Sequence, residues 1–186
     1  MFMKEKYIMK YKENYNRKHN TSRGFTLAEL LIVVAIIAVL VAVSIPIFAG
    51  QLEKSRRSVD ITQARSMRTA LTAALNEGYI ELSDDTTIAL FVSRSGINGG
   101  GYGRSDHSGI KINGGKYTGF SDVWAVLGKF GISKDIRMKQ KNKNIDWYGV
   151  SINSKGECYY YEGKGRMDDF QNTSVATKYD WKDIGY

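Results

Sequence analysis

One cysteine, one proline and two histidines occur in 186 residues, and each shortage excludes something. With Cys158 alone, no intrachain disulfide can form. Its place inside a predicted strand makes it a core or sheet-face residue rather than a nucleophile. His107 lies in Arg104-Ser105-Asp106-His107-Ser108, but a catalytic triad is a spatial arrangement that sequence adjacency does not create, and one histidine lacks the spacing of a zinc site. Asp84-Asp85 and Asp168-Asp169 have no alternating oxygen ligands of a calcium loop and read as solvated turns. The glycines from Gly96 to Gly103 are followed by neither the lysine nor the helix of a phosphate-binding loop, so a flexible surface loop is expected there. Nothing in the chain has the pattern of a catalytic, metal or cofactor site, and no enzyme activity is expected.

What is present is a membrane-length apolar run. Residues 23 to 48, RGFTLAELLIVVAIIAVLVAVSIPIF, carry one carboxylate, Glu29, near their start. An acid at mid-bilayer costs about 2.5 to 3.5 kcal/mol and less near the interface, so an intramembrane acid points to function and to a partner. The alternative is an acid at headgroup level that decorates the end of an anchor. Ahead of the run stand seven basic residues, Lys4, Lys6, Lys10, Lys12, Arg17, Lys18 and Arg23, against Glu5 and Glu13. This leader supplies a net +5 of the formal +8, so without it +3 remains and most of the basicity is a topology signal. By the positive-inside rule it keeps that end cytoplasmic. A secretory signal peptide fits poorly: the leader is long for an n-region, and the apolar run exceeds the usual roughly 7 to 15 residues.

The string Gly24-Phe25-Thr26-Leu27-Ala28-Glu29-Leu30-Leu31, between a basic leader and an unbroken aliphatic stretch, closely resembles the processing site of type IV prepilins and pseudopilins. The resemblance covers about residues 20 to 76 and is specific over 24 to 48. It implies that a membrane-embedded prepilin peptidase cuts between Gly24 and Phe25 and that Phe25 becomes the N-methylated first residue. It also implies that Glu29, with Thr26, sets subunit register in a helical polymer. Cleavage turns the Phe25 amide into an amine with an unperturbed pKa near 7.7 to 8, largely cationic at neutral pH. An ion pair of that amine with Glu29 of an adjacent subunit offsets the desolvation of both groups, and such buried pairs serve register more than net stability. The other partners implied are an assembly platform protein, an assembly ATPase and the cytoplasmic membrane. The precursor would be single-pass with its head outside, and the product an extracellular pilus. Many Gram-negative pilins close their C-terminal region with a disulfide. Cys158 alone departs from that pattern, which leans towards a Gram-positive or anaerobic host or towards packing of the C-terminal aromatics instead.

Four segments follow: a leader (1–24), an apolar assembly helix (25–50), an amphipathic second half (51–78) and a β-rich head (79–186). Between Gln51 and Asn76, apolar residues at Val59, Ala64, Met67, Ala70, Leu71, Ala74 and Leu75 recur at helical spacing, while Lys54, Arg56, Arg57, Arg65 and Arg68 occupy much of the rest. Gly78 is the expected stop. A single helix from Phe25 to Asn76 would be about 78 Å long, too long for its own head, so lipid or other copies must cover its first half. Pro46 falls inside it, and a kink or local melting from Ala42 to Pro46 is expected.

An α+β fold is expected for the rest, with a short antiparallel sheet laid on the second half of the long helix, as in pilins. Thr86–Ser93 reads as a strand, Arg94–Lys116 as a glycine-rich loop with a short strand at Ile110–Ile112, and Ser121 as the cap of a helix reaching Lys129. That helix would turn Val123, Trp124, Leu127 and Phe130 inward. Trp147–Ile152 and Glu157–Tyr161 form the clearest hairpin. Alternation puts Tyr159 and Tyr161 on one sheet face and Tyr160 on the other. Nucleic acid is left open as a partner. If the filament takes up DNA, Lys134, Arg137, Lys139, Lys141 and Lys143 form the most basic stretch and predict salt-sensitive retention.

The function expected is a structural type IV pilus subunit, whose filaments serve adhesion, twitching, DNA uptake or secretion. The alternatives are a pseudopilin of a type II secretion or DNA-uptake machine and, from another class, a membrane-anchored extracellular binding module that does not polymerise.

Overall fold

A computed structural model describes residues 24–102, 108–167 and 176–184, the side chains of 100–102 excepted. The chain divides into two compact units, Met1–Ile47 and Phe48–Tyr186. Helix α1 (Leu27–Asn76) begins in the first and ends in the second.

In the first unit every described residue is exposed except the half-buried Ser44. Leu27, Leu31, Leu40 and Ile45 all have more than half of their surface bare. Among the described residues, α1 is the one helix long and apolar enough to cross a membrane. The local melting expected around Pro46 is not seen, because residues 42–46 are helical throughout. Proline removes a single hydrogen bond, and long helical flanks hold the interrupted turn, since propagation costs far less than nucleation.

In the second unit, α1 buries Asp60, Ile61, Ala64, Met67, Ala70, Leu71 and Ala74. The expected stripe is corrected at its start: Val59 is 43% exposed and Asp60 takes the inward position. The helix ends as expected at Gly78, whose φ of 75° suits the residue after a helix. Glu77 N–H donates to the Ala73 carbonyl at 2.9 Å.

The α+β expectation holds, with two sheets instead of one. A five-stranded antiparallel sheet runs β3 (Ile97–Tyr102), β2 (Thr87–Ser93), β6 (Trp147–Asn153), β7 (Cys158–Gly163), β8 (Ala176–Tyr179). A smaller antiparallel sheet runs β1 (Ile80–Leu82), β4 (Ile110–Ile112), β5 (Gly115–Lys116). The expected flexible loop is thus wrong over Ile97–Tyr102, which pairs with β2 along its length. Glycine is required there by packing: a Cβ on Gly99 would stand 2.4 Å from the Ala89 carbonyl oxygen and 2.6 Å from the Phe120 ring.

The two faces of the larger sheet sort by alternation. Ile88, Leu90, Val92, Tyr148, Val150, Ile152 and Tyr160 join the α1 core, while Ala89, Phe91, Trp147, Tyr161 and Ala176 form a second cluster opposite. Tyr160 and Tyr161 therefore divide as expected. The 6→7 hairpin is set by Asn153, whose Oδ1 accepts from Lys155 N–H at 3.1 Å and Glu157 N–H at 2.9 Å, and by Gly156 at φ 76°.

Helix α2 (Phe120–Lys129) buries Val123, Trp124, Val126 and Leu127 and half-buries Phe130. Ser121 is not its cap: the cap position is Gly119, which offers no side chain. Asp122 instead ties the first turn back to the residue before the cap, accepting from Thr118 N–H and Oγ1–H at 2.8 Å each. The C-terminal aromatics do pack together, with the Tyr160 ring centroid 6.2 Å from Tyr148, 5.9 Å from Tyr179 and 5.8 Å from Trp181.

Candidate processing and assembly site

Gly24, Phe25 and Thr26 lie ahead of α1, outside any helix or strand, and Phe25 is 90% exposed. Thr26 then caps the helix. Its Oγ1 accepts from Glu29 N–H at 3.2 Å, and the Glu29 carboxylate reaches back to accept from Thr26 N–H at 2.8 Å and from Thr26 Oγ1–H at 2.9 Å. This reciprocal pair is a capping box, in which Thr-x-x-Glu satisfies two otherwise orphaned N–H groups. The signal was legible in Thr26-Leu27-Ala28-Glu29, but the sequence reading gave these residues only a role between subunits. Both bonds to the carboxylate fall on Oε2, and among the described residues Oε1 has no hydrogen-bond partner. The acid at the mouth of the apolar helix is thus held in a fixed rotamer with one oxygen uncommitted. A negative charge also belongs at a helix N-terminus, where the macrodipole is positive.

Pro46 lies on the same helix. Because it has no N–H, the Ala42 carbonyl loses its usual donor. Two residues before Pro46, Ser44 Oγ–H donates to the Leu40 carbonyl at 2.7 Å.

Other singled-out residues distribute as follows. Cys158 is half-buried with Sγ 3.6 Å from Thr72 Oγ1, and burial pushes its thiol up, which suits a face residue. Asp84 and Asp85 are exposed in a turn, with Asp85 at φ 66°. Among the described residues no group of three or more His, Cys, Asp or Glu could hold a metal ion. His107, Asp168 and Asp169 fall outside the described residues. Lys134, Arg137, Lys139, Lys141 and Lys143 are all exposed.

Two acids that sequence reasoning passed over are buried in the head. Asp60 has 0% exposure and accepts from Lys139 N–H at 2.7 Å and Gln140 N–H at 2.9 Å. Desolvation lifts its pKa above the ordinary aspartate value, and the two N–H bonds oppose that rise without cancelling it. Glu162 is 5% exposed; it pairs with Arg57 at 3.2 Å and accepts from Tyr160 OH at 3.0 Å. No sequence signal marks either, because an acid on a helix or strand reads as solvent-facing until its partners are known.

A family model described as "Prokaryotic N-terminal methylation motif" matches residues 19–45, the stretch that contains the capping box. Fimbrial protein Q of Moraxella bovis is 34% identical over 137 residues, which cover 70% of this chain and 84% of that protein. Type IV major alpha-pilin of Moraxella bovis is 41% identical over 59 residues, or 32% of this chain and 37% of that one. Type IV major fimbrial protein FimA of Dichelobacter nodosus is 43% identical over 56 residues, or 30% and 36%. No solved structure matches. The N-terminal motif, the helix-and-sheet architecture and a likeness that extends over most of a fimbrial protein converge: the chain belongs to the type IV pilin family.

Proposed function

We propose that this chain is a structural subunit of a type IV pilus, made as a single-pass precursor, cut between Gly24 and Phe25 by prepilin peptidase, N-methylated on Phe25 and polymerised through α1. One observation carries the reading: the apolar half of α1 is uncovered along its whole length and has a single acid at its start, held by Thr26. About 20 apolar residues span a bilayer, so lipid covers this surface in the precursor and neighbouring copies cover it in the filament. The uncommitted oxygen of Glu29 is the acceptor for the amine of Phe25 on an adjacent subunit, and Pro46 is where the helix bends within the polymer. The role is structural and not enzymatic, in keeping with the fimbrial and pilin names of the relatives. On this reading the leader stays cytoplasmic, the head lies outside, and a platform protein and an ATPase draw subunits from the membrane. The segments 1–24, 25–50, 51–78 and 79–186 are the leader, the assembly helix, its amphipathic half and the head.

The test is the amino-terminal sequence and mass of the protein sheared from its host's surface. A chain that starts at N-methylated Phe25 is expected. A start at Met1 or Gly50 would overturn the reading and leave an anchor or a secreted domain. Replacing Glu29 by Gln keeps an acceptor for Thr26 but removes the charge, and is expected to abolish filaments seen by electron microscopy. Undiminished filaments would refute the register role.

A further inference from the structure

We propose that the cleft between the last turns of α1 and Trp181, two residues after β8, binds an acidic sugar: a hydroxylated ring whose single carboxylate is held by Arg68. The cleft measures about 520 Å³ and lies wholly within the second unit. That volume falls in the usual range of small-molecule sites, about 300 to 1,000 Å³.

Helical spacing builds one wall. Arg65, Arg68 and Thr69, then Thr72, Ala73 and Asn76, recur at intervals of three and four and so share one face of α1. Ala73 keeps the middle of that wall low, because only a methyl group stands between Thr69 and Asn76. The opposite wall is Trp181. Its ring centroid is 5.8 Å from that of Tyr160, and Arg65 holds the same segment to the helix by donating to the Ile184 carbonyl at 3.3 Å. Both walls are therefore fixed by packing before any ligand arrives.

The polar groups of the cleft ask for an anion. Among the described residues no acid lines it. Arg68 is exposed and forms no ion pair among the described residues. Its guanidinium lies over the Trp181 ring, 5.1 Å from the centroid, which commits its flat face to the indole and leaves its N–H edge for an acceptor. The Cys158 thiol does not neutralise it, since burial pushes that thiol up against the opposing pull of Thr72 and Arg68. The Trp181 indole N–H is buried without a hydrogen-bond partner, and a buried donor calls for an acceptor. Thr69 Oγ1–H already donates to the Arg65 carbonyl at 3.0 Å, so its oxygen keeps lone pairs open to a ligand hydroxyl.

These groups select among anions. A guanidinium edge matches a carboxylate with two parallel N–H bonds. A phosphate dianion is disfavoured, because Arg65 is engaged by the Ile184 carbonyl and the cleft reaches the C-terminal end of α1, where the macrodipole is negative. From Thr69 to Asn76 the wall runs about 10 Å, so a lone carboxylate would leave most of it unused. A ring with hydroxyls on its rim and C–H groups on its faces fits the threonines and Asn76 on one side and the Trp181 and Ala73 surfaces on the other.

The experiment titrates the full-length chain, in uncharged detergent at constant ionic strength, with sodium glucuronate and reads tryptophan emission. Glucose and glucose 1-phosphate serve as comparison ligands, since they keep the ring and change only the charged group. Glucuronate is expected to bind with a Kd on the order of 1 mM, and glucose at least about ten-fold more weakly. Arg68→Gln should weaken glucuronate binding about ten-fold or more. Arg68→Lys keeps the charge without the fork and should also lose most of the affinity. Lys116→Gln removes a charge on β5, outside the cleft, and should bind as wild type does. Trp181→Phe should abolish the emission change, and an undiminished change would place the ligand elsewhere. Equal binding of glucose, tighter binding of glucose 1-phosphate, or full affinity in either Arg68 variant would each overturn the proposal. So would an absence of glucuronate binding together with self-association lost in Arg68→Gln, which would assign the cleft to an acid of a second copy. The thermal transition is the folding control. Should an Arg68 variant melt early, Asn76→Ala at the exposed end of the cleft takes its place and should weaken binding several-fold. Because dispersed protein is used, a host that makes no pili would count against the filament reading without touching this one.

Discussion

Replacing Asp60 by Ala removes, in one step, the acceptor that holds the backbone of Lys139 and Gln140 to α1. Two donors lose their partner: Gln140 N–H, in a residue 1% exposed, and Lys139 N–H, nearer to water. A hydrogen bond to a charged group contributes about 1.5 to 3 kcal/mol, and a stranded buried donor costs about 1 to 3 kcal/mol. Against this, alanine is relieved of the desolvation that an ionised Asp60 suffers, the largest influence on its pKa. The balance is a loss of about 2 to 4 kcal/mol, set mostly by the Gln140 donor. In a domain of this size 1 kcal/mol shifts Tm by about 3 to 5 °C, so a drop of roughly 10 °C is expected in thermal circular dichroism. Limited trypsin digestion should show the same change locally, with faster cutting after Lys139 and Lys141. A Tm within about 2 °C of wild type, with unaltered cutting, would refute the clamp.

The same residue gives a pH test. Folding raises the Asp60 pKa, so the folded state holds that proton more tightly than the unfolded state does. Its stabilising effect is full below the unfolded value of about 3.9 and is lost as pH rises through the higher folded value. Wild type should therefore gain in Tm relative to Asp60→Asn as pH falls from neutral towards about 4; a difference that shrinks with acid would mean the N–H bonds outweigh burial. At the Arg57–Glu162 pair, removing the half-exposed partner should cost more than neutralising the buried one. Arg57→Ala strands a carboxylate at 5% exposure, for about 2 to 3 kcal/mol, while Glu162→Gln keeps an acceptor for Tyr160 OH and costs about 1; melting curves in the reverse order would contradict this. Gly99→Ala should cost about 2 kcal/mol through overpacking against Ala89 and Phe120, whereas Gly115→Ala, whose nearest neighbour is the Ile112 carbonyl oxygen at 3.5 Å, should stay near wild type. Equal melting temperatures for these two would remove the packing reason for glycine in β3. Thr26→Ala should cost the helix start about 1 kcal/mol, seen as faster amide exchange at Glu29 and Leu30 in detergent micelles; unchanged exchange would show that the capping box contributes nothing.

Which parts of this molecule were legible follows from the range of the interactions that fix them. The apolar run, the Thr26-x-x-Glu29 start and the Gly78 stop are local, and the hairpin around Asn153 to Gly156 carries its own turn chemistry. The strand β4 over Ile110–Ile112 came out at the expected bounds. Strand β3 did not, because INGGGY has no strand propensity of its own. It is held by pairing to β2 and by Phe120, which packs where a side chain would otherwise stand. The misplaced cap at Ser121 has a similar cause: Asp122 reaches back to Thr118, and the cap falls two residues earlier, on Gly119.

By itself the sequence determined the membrane-length helix, its single acid and the candidate cleavage point. Their physics needs only the order of neighbouring residues and the contrast between hydrocarbon and water. Only the tertiary structure decided that Asp60 and Glu162 are interior acids, that Val59 faces outward, and that the basic segment lies extended with its lysines exposed. Each depends on a partner from far along the chain: Asp60 on the amides of Lys139 and Gln140, Glu162 on Arg57, and the basic segment on the carboxylate of Asp60 that takes its backbone. A polar side chain is buried or solvated according to what meets it, and for these residues that partner arrives only when the chain folds back on α1.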